Sequence, residues 1–299
     1  MTQPTLTEGD HFFSAEGITF HYRVGGSSGP IFIAHSVGWG MPGSYLWNGL
    51  GPHLEKSHTV VYLEPRGNGQ SSQPADEGAM SSRIMAADIE HLRQHLGLDS
   101  IPVLFGHSNG ACIALRYAEQ YPDRVQNLIL VSAEVQDFPS NDNLKTWAAK
   151  RKDDPVYGPA VAGLARAFKS PPQTDAGFAQ MMDTILPWYF SDVRHVDTLR
   201  GHMSPDVTPP RVWPFLRQGP LDKRAENKCP HVADGGLVKA RTLVVWGAED
   251  AMCSVDAGRA VAGAVTGARL VVFEGCGHFP WIEEGEGFFR EVDAFLGSD

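Results

Sequence analysis

The sequence predicts an α/β fold in which a mostly parallel β-sheet has helices on both faces and a long helical insertion interrupts the pattern. Two observations indicate this. Short apolar runs, each bounded by Gly, Pro or polar residues, alternate with helical patterns, as buried parallel strands and their crossover helices do. The alternation stops near residue 135 and resumes near residue 237, and the residues between them form proline-divided helical patterns rich in aromatic side chains.

Seven apolar runs are predicted to be strands of the sheet: 18–24, 31–34, 60–63, 101–105, 128–131, 242–246 and 270–273. Helices are predicted between or after them at 81–96, 109–119, 256–265 and 287–296. In the first of these helices, apolar residues recur at steps of four, three and four, which places them on one face: Met85, Ile89, Leu92 and Leu96.

The insertion is predicted to contain short helices at 145–151, 160–169 and 175–185 and no strand. We therefore divide the chain into a core formed by residues 1–134 and 237–299 and a helical cap formed by residues 135–236. The sequence motifs described below lie on both sides of the insertion. Both flanks are therefore expected to belong to one catalytic domain.

Composition excludes several classes of function. The 299 residues have a formal net charge of −10, which argues against binding to nucleic acid. No segment approaches the roughly 18 apolar residues of a membrane span, and the polar N-terminal segment predicts no signal peptide. The cysteines form no CxxC pair, which favours a reducing compartment, and a cytoplasmic location is expected. They are Cys112, Cys229, Cys253 and Cys276.

The segment 106–110 reads Gly-His-Ser-Asn-Gly and lies between a predicted strand and a predicted helix. This GxSxG context is typical of a nucleophile elbow, a sharp turn that presents a serine above the carboxyl edge of the sheet. Side chains at 106 and 110 would collide with neighbouring backbone, so glycine is needed there. We expect Ser108 to be a catalytic nucleophile; the alternative is an ordinary tight turn.

A serine nucleophile needs a base and an acid that orients the base. His278 is the candidate base, because it follows the last predicted strand and precedes the last helix. Asp250 is the candidate acid, because it ends the loop after the strand at 242–246 and lies between serine and histidine in chain order. Glu134, after the strand at 128–131, is a second candidate acid, and the alternative for it is a solvated loop residue.

An oxyanion requires hydrogen-bond donors. The backbone N–H of Asn109, at the start of a helix, is the expected first donor. The second is expected from the loop after the strand at 31–34, with the N–H of Val37 preferred and that of Ser36 as the alternative. Aromatic and neighbouring side chains are expected to line a substrate pocket: His35, Trp39, Trp188, Tyr189 and Phe279.

Five segments in this order resemble the α/β-hydrolase superfamily and its proline-iminopeptidase-like branch: AHSVGWG, EPRGNGQSS, GHSNGA, WGAED and GCGHFPWIEE. The resemblance implies an α/β-hydrolase fold with an inserted helical cap. Ser36 stands where the family has glycine, and Glu64 stands where it has aspartate. The segment EPRGNGQSS, which begins at Glu64, is expected to be structural, with Arg66 paired inside the core. Asp222 and Glu226 of the cap are expected to be solvated acids rather than ligands of a substrate amine.

The predicted function is that of a serine hydrolase which cleaves an ester or amide bond of a small to medium, largely apolar substrate through an acyl-enzyme; the resemblance includes aminopeptidase-like activity. No metal or cofactor is expected, and the oligomeric state is left open. Two alternatives remain at this point. One is a carbon–carbon bond hydrolase or lyase on the same scaffold, and the other is a small-molecule receptor that retains the triad.

Overall fold

The computed structural model describes residues 6–139, 141–203 and 209–297. Eight strands form one sheet: β1 (Gly9–Ala15), β2 (Ile18–Gly25), β3 (Ile31–His35), β4 (Thr59–Leu63), β5 (Ile101–His107), β6 (Val125–Val131), β7 (Arg241–Gly247) and β8 (Arg269–Phe273). Their order across the sheet is β1-β2-β4-β3-β5-β6-β7-β8. β2 is antiparallel to both of its neighbours, and all the other pairs are parallel. The predicted α/β fold with a mostly parallel sheet is confirmed.

Alternate residues of the central strands enter two separate apolar clusters, one on each face of the sheet. In β5, Leu104 belongs to one cluster, while Val103 and Phe105 belong to the other. In β6, Leu128 and Ile129 divide in the same way. Successive side chains of a strand point to opposite faces. A strand covered on both faces must therefore be apolar throughout, which is why these runs do not alternate with polar residues.

Twelve helices accompany the sheet: α1 (Ser44–Leu54), α2 (Ser82–His95), α3 (Asn109–Gln120), α4 (Asn141–Arg151), α5 (Tyr157–Lys169), α6 (Asp175–Ile185), α7 (Val196–His202), α8 (Val212–Asp222), α9 (His231–Asp234), α10 (Val255–Ala264), α11 (Pro280–Glu283) and α12 (Gly285–Leu296); this number applies to the described residues. α2, α3 and α10 cover one face of the sheet, through residues such as Ile89, Leu115 and Val261. α1 and α12 cover the other face, through Leu50 and Val292. The four apolar residues that predicted the buried face of α2 are all buried.

Among its described residues, the segment between β6 and β7 contains no strand, and loops join α4 to α9 and short 3₁₀ turns. It packs directly on the sheet, because Leu186, Phe190 and Leu199 share the apolar cluster of α1, and Leu221 joins the cluster of α2. The division into core and cap stays a prediction; we use "cap" for residues 135–236. Within the described ranges, no helix has the length and apolarity required to cross a bilayer.

Among the described helices and strands, β1, α1, α7, α8 and the four-residue helices α9 and α11 were not predicted, and each has a weak sequence pattern. β1 is an edge strand whose side chains are mostly exposed or half-buried, so it lacks an apolar run. α1 contains two glycines and Pro52, and α8 contains Pro220, residues that disfavour a helix interior. α7 has only seven residues, which is too short for a helical period to be distinctive.

The segment after β4 holds a buried polar network, as its sequence predicted. The Arg66 Nε donates to Asp88 Oδ2 at 2.8 Å, and the two side chains are 2% and 0% exposed. Glu64 Oε2 lies 2.8 Å from His21 Nδ1. Gly69 has φ +52°, and a Cβ there would lie 2.0 Å from Glu64 Oε2, so this turn requires glycine. The expected pairing of Arg66 within the core is confirmed, and the segment fixes the strand end that precedes α2.

We predict that Arg66→Ala lowers the free energy of unfolding by about 3–5 kcal/mol, because it leaves the Asp88 carboxylate buried without its partner. Urea denaturation followed by circular dichroism measures this. Lys239→Ala is the control, since its ion pair with Asp123 is 64% and 76% exposed and is expected to contribute about 0–1 kcal/mol. Equal losses in the two variants would contradict the prediction.

Candidate active site

Ser108 lies in a sharp turn between β5 and α3. Its backbone has φ 54° and ψ −120°, a left-handed region that non-glycine residues rarely adopt. A Cβ at Gly106 would lie 2.5 Å from Ala111 Cα, and one at Gly110 would lie 2.5 Å from the His35 carbonyl oxygen. Both glycines are therefore required for the close approach of neighbouring backbone. The turn has the geometry of the elbow that the GxSxG motif predicted.

A histidine and an aspartate from two different loops meet at the same edge of the sheet. His278 Nδ1 donates to Asp250 Oδ2 at 2.7 Å, and both side chains are almost fully buried. The other carboxylate oxygen of Asp250 accepts from the N–H groups of Met252 and Cys253, at 2.8 and 2.9 Å. The carboxylate is thereby fixed, and it holds the proton of the imidazole on Nδ1. The lone pair of Nε2 is then available to accept a proton.

The elbow contacts the histidine loop through His107, which the sequence analysis did not single out. The Tyr45 hydroxyl lies 3.2 Å from His107 Nδ1, and His107 Nε2 lies 3.0 Å from the His278 carbonyl oxygen. A carbonyl only accepts, so Nε2 carries the proton and Nδ1 accepts from Tyr45. Burial, and then the nearby His278, hold the pKa of His107 well below its usual value. A neutral His107 therefore ties the elbow to the backbone of His278.

The acid loop also reaches the elbow. Cys253, three residues after Asp250, lies near enough to Ser108 for the serine hydroxyl to lower the pKa of its thiol slightly. Burial raises the pKa of Cys253 well above its ordinary value, and the neighbouring Asp250 acts in the same direction. The thiol therefore stays protonated. Serine, acid loop and histidine loop thus converge at one rim of the sheet.

A carboxylate after His278 fastens the histidine loop to the cap. Glu283 Oε1 accepts from Gly277 N at 2.8 Å, and its other oxygen accepts from Ser191 N at 2.8 Å. The His278 N–H donates to the Tyr189 carbonyl at 2.7 Å. Desolvation raises the pKa of Glu283 to about 7, against the lowering effect of these backbone donors. No sequence pattern marked this role, because it depends on a cap segment far along the chain.

The two expected oxyanion donors have different surroundings. Asn109 opens α3 directly after Ser108, where its backbone N–H lies at a helix N-terminus. The Val37 N–H donates to the Tyr45 hydroxyl at 3.2 Å, a length at the weak end of the range for such bonds. The alternative donor, the Ser36 N–H, points to the Leu63 carbonyl at 3.3 Å and so continues the strand pairing. Both N–H groups therefore already have an acceptor, and the choice of Val37 stays a prediction.

A glutamine of the cap connects the loop after β3 to the start of α3. Gln218 Oε1 accepts from the Trp39 N–H at 2.8 Å, and Gln218 Nε2 donates to Asn109 Oδ1 at 2.8 Å. The Asn109 side chain in turn donates to Glu134 Oε2 at 2.8 Å. Glu134, the second candidate acid, is thus bonded to Asn109, whereas His278 is bonded to Asp250. Sequence reasoning missed Gln218, since a single glutamine among proline-divided helices carries no signal.

The same network shows that the expectation of a solvated Asp222 was wrong. Its carboxylate is 5% exposed and accepts from both the N–H and the hydroxyl of Ser82, at 2.8 and 2.7 Å. Burial, with Glu134 as the next cause, raises the pKa of Asp222 to about 7. α8 places this residue against the start of α2, which the sequence could not show. Glu226 is exposed, as expected.

The five expected pocket residues occupy different environments. Tyr189 and Phe279 flank the catalytic histidine candidate, with ring centroids 5.4 Å from that of His278. The ring of Trp39 packs on α8 beside Phe215. His35 is fully buried with Nδ1 on the Ser36 carbonyl, and Trp188 is fully buried in an apolar cluster of the cap. Burial lowers the pKa of His35 to about 4, so its ring is neutral.

One group of potential metal ligands occurs among the described residues: Cys112, Cys229 and His231. It contains none of the residues bonded at the elbow edge, namely Asp250, His278 and Gln218.

Residues 30–285 match the family model described as alpha/beta hydrolase fold. The chain belongs to the alpha/beta hydrolase family. The 2-hydroxymuconate semialdehyde hydrolase of Pseudomonas putida is 27% identical over 275 residues, which cover 88% of this chain and 89% of that protein. The 2-hydroxy-6-oxononadienedioate/2-hydroxy-6-oxononatrienedioate hydrolase of Escherichia coli K12 is 24% identical, with 89% of this chain and 86% of that protein covered.

Solved structures of the alpha/beta hydrolase family superpose on the whole chain. An esterase of Exiguobacterium antarcticum has a TM-score of 0.72 at 20% identity, covering 98% of this chain and 100% of that one. A meta-cleavage product hydrolase of Pseudomonas fluorescens has a TM-score of 0.73 at 21% identity, covering 96% and 97%. These similarities confirm the fold and the expectation of a hydrolase. The relatives are esterases and meta-cleavage product hydrolases, so the proline-iminopeptidase branch is not confirmed.

We predict that Glu283→Gln alters the pH dependence of stability. The folded protein keeps the Glu283 proton up to about pH 7, whereas the unfolded chain releases it near pH 4.5. Wild-type stability should therefore fall relative to the variant as pH rises from about 4.5 to about 7, and the difference should be constant above that window. Urea unfolding of both proteins across this range measures it. A difference that is independent of pH would refute the raised pKa.

Proposed function

We propose that this hydrolase cleaves an ester or amide bond of a neutral, largely apolar substrate, with Ser108 as nucleophile, His278 as base and Asp250 as the acid that orients the base. The observation that carries the proposal is the 2.7 Å bond from His278 Nδ1 to Asp250 Oδ2, at the same edge of the sheet as the left-handed turn that holds Ser108. This bond leaves Nε2 as the atom that accepts the serine proton.

In the first step, His278 Nε2 takes the Ser108 proton as the serine oxygen attacks the carbonyl carbon. The tetrahedral intermediate collapses when the imidazolium returns this proton to the leaving alcohol or amine. A water molecule, deprotonated by the same nitrogen, then attacks the acyl-enzyme and releases the acid. Asp250 stays ionised throughout and stabilises the imidazolium.

The oxyanion is proposed to bind to the backbone N–H groups of Asn109 and Val37. The first is supported by the position of Asn109 at the start of α3. The second requires the Val37 N–H to exchange the Tyr45 hydroxyl for the substrate oxygen, which is supported by the 3.2 Å length of the existing bond. Each such donor contributes about 10²–10³ in rate.

The charges around the elbow support a neutral substrate. The Asp250 carboxylate bonds to the histidine. Burial raises the pKa of Glu134 and raises that of Glu283 to about 7, so Asp250 carries the main negative charge of the three. The guanidinium of Arg151 donates to the carbonyls of Trp188 and Phe190, at 2.7 and 3.1 Å. A substrate carboxylate at this edge would therefore meet the like charge of Asp250.

A second candidate function is carbon–carbon bond hydrolysis. The names of two relatives specify 2-hydroxymuconate semialdehyde and 2-hydroxy-6-oxononadienedioate as the compounds that those proteins hydrolyse. The same serine, histidine and acid could serve such a reaction. These compounds are carboxylates, however. The negative charge of Asp250 near Ser108 favours the hypothesis of a neutral ester or amide substrate. A preference for proline arylamides would instead support an aminopeptidase-like activity. The Asp222 carboxylate of the cap already accepts two hydrogen bonds from Ser82, so it is not available to bind a substrate amine.

The cytoplasm is the proposed location, and two observations support it. The four cysteines are free thiols in the structure. The sequence has no disulfide framework, which is the usual pattern of proteins in a reducing compartment.

We predict that a fluorophosphonate probe labels the wild-type protein at Ser108 and that Ser108→Ala abolishes labelling. The variant should also lower kcat for p-nitrophenyl butyrate by about 10⁴–10⁶-fold, because no activated hydroxyl remains. Ser132→Ala is a matched control, since Ser132 is also a buried serine with positive φ, and it should keep both labelling and turnover.

The same assay separates the candidates. Labelling with rapid turnover of neutral esters supports the proposal, and turnover of 2-hydroxymuconate semialdehyde at a higher kcat/KM would favour the second candidate. Labelling with a single acylation and no turnover would indicate a receptor. A folded protein that is not labelled would defeat the assignment of Ser108.

We predict that Asp250→Asn lowers kcat by about 10⁴-fold with little change in KM, because an amide NH₂ facing Nδ1 would favour the wrong imidazole tautomer. Steady-state kinetics with p-nitrophenyl butyrate provide the measurement. Glu249→Gln is the control, since the Glu249 carboxylate bonds to the Ser191 hydroxyl rather than to the histidine. A comparable loss in both variants would mean that the effect is not specific to the Asp250–His278 bond.

A further inference from the structure

Two cysteines and a histidine meet at the start of α3, outside the proposed triad. Cys112 lies one helical turn after Ser108. Cys229 and His231 belong to the last part of the cap, shortly before β7. Their ligand atoms all lie within 4.8 Å of one another, and all three residues are buried. We propose that Cys112, Cys229 and His231 bind one Zn²⁺ ion. This inference does not depend on the proposed function.

The spacing of the three ligand atoms suits a zinc ion. Zn–S bonds of about 2.3 Å and Zn–N bonds of about 2.0–2.1 Å place the ligands of a tetrahedral ion roughly 3.5–3.8 Å apart. His231 Nε2 lies 3.2 Å from Cys112 Sγ, so a small adjustment of the side chains accommodates the ion. Two sulfurs and one imidazole are ligands that select zinc over calcium or magnesium. Water fills the fourth position.

The histidine is oriented as in a metal site. His231 Nδ1 donates to Glu119 Oε1 at 2.8 Å, and Nε2 faces the sulfur of Cys112, so Nε2 is the ring atom that would bind the ion once its proton is released. The other oxygen of Glu119 accepts from Arg116 at 3.0 Å. A carboxylate on the second nitrogen is the common partner of a metal-bound histidine, because it fixes the tautomer and makes the ligand more basic.

The charges balance when the ion is bound. Cys112 and Cys229 each lose a thiol proton, so two thiolates offset the two positive charges of the ion and two protons are released to solvent. The negative charge of the buried Glu119 is offset by Arg116, while Asp234, which also pairs with Arg116 at 2.8 Å, is 32% exposed and solvated by water. A buried site with no excess charge avoids a large desolvation cost.

Sequence reasoning predicted no metal because it looked for closely spaced ligands. Cys112 and His231 are 119 positions apart, and only the return of the chain from the cap brings them together. On α3, Cys112, Arg116 and Glu119 follow at steps of four and three, which places them on one face. An ion here would fasten the cap's return segment to the helix that carries the nucleophile.

Cobalt substitution tests the proposal. The wild-type chain, expressed in minimal medium with Co²⁺ in place of Zn²⁺, should hold about one cobalt per chain. Its spectrum should show the thiolate-to-metal charge-transfer band and the visible bands of tetrahedral coordination. Cys229→Ser and Cys112→Ser should each lose most of the charge-transfer band and the bound metal. Cys276→Ala removes a buried cysteine outside the cluster and should keep both.

Glu119→Gln gives a readout that a merely structural role would not produce. It should keep the charge-transfer band, because both thiolates remain, but bind Co²⁺ about 10–100-fold more weakly in competition with a chelator. The zinc form of the wild type should also melt several degrees higher than the chelator-treated protein, and Cys229→Ser should show no such difference.

Three results would overturn the proposal. One is a wild-type chain that takes up neither zinc nor cobalt during expression, a measurement that does not require any variant to fold. Another is a charge-transfer band that survives in Cys229→Ser. The third is a mass two hydrogens lower for protein purified without reductant, with a Cys112–Cys229 peptide, together with no metal uptake after reduction.

Discussion

Ser108 occupies a left-handed backbone conformation that costs of order 1–3 kcal/mol, and the surrounding elements hold it there. Its N–H donates to the Val131 carbonyl at 2.9 Å, and its own carbonyl accepts from the N–H groups of Cys112 at 3.1 Å and Glu134 at 3.0 Å. The end of β6 and the first turn of α3 are thus both bonded to one residue. The close contacts at Gly106 are a further consequence, because a turn this tight leaves no room for a Cβ. The position of the serine is therefore set by backbone bonds from β6, the loop after it and α3 rather than by its side chain.

The same turn determines where the histidine loop can lie. His107 directly precedes Ser108. The centroid of its ring lies 4.7 Å from that of His278. Because burial keeps His107 neutral, its Nδ1 can accept a hydrogen bond and its Nε2 can donate one. Nδ1 accepts from Tyr45, and Nε2 donates to the His278 carbonyl. Glu283 approaches the loop from the opposite side and bonds to both Gly277 and the cap. The His278 ring is consequently held by the acid loop, while the backbone of His278 is held by the elbow and by the cap.

The parts of the fold that were predictable from sequence are those with strong local signals. Buried parallel strands are continuous apolar runs, and the elbow has two glycines at fixed positions, so the sheet and the place of Ser108 followed from the sequence. Asp250 and His278 were found through chain order and loop position. Gln218 and Asp222 were not, because their roles depend on which face of α8 meets the elbow, a tertiary property with no local pattern. β1 was missed for a different reason, since an edge strand needs no apolar run.

Gln218 connects the cap to the edge of the sheet where Ser108 lies. Its amide bridges the Trp39 N–H on one side and the Asn109 side chain on the other, and both bonds are 2.8 Å long. A cap that swung away as a rigid lid would break both at once and release the glycine-rich loop beside the serine. The position of α8 and the order of this loop are thus mechanically linked. For chimeric enzymes, in which the cap of one homologue is grafted onto the core of another, this linkage sets a rule: the donor cap must bring an amide to this place, or the recipient loop must be redesigned with it.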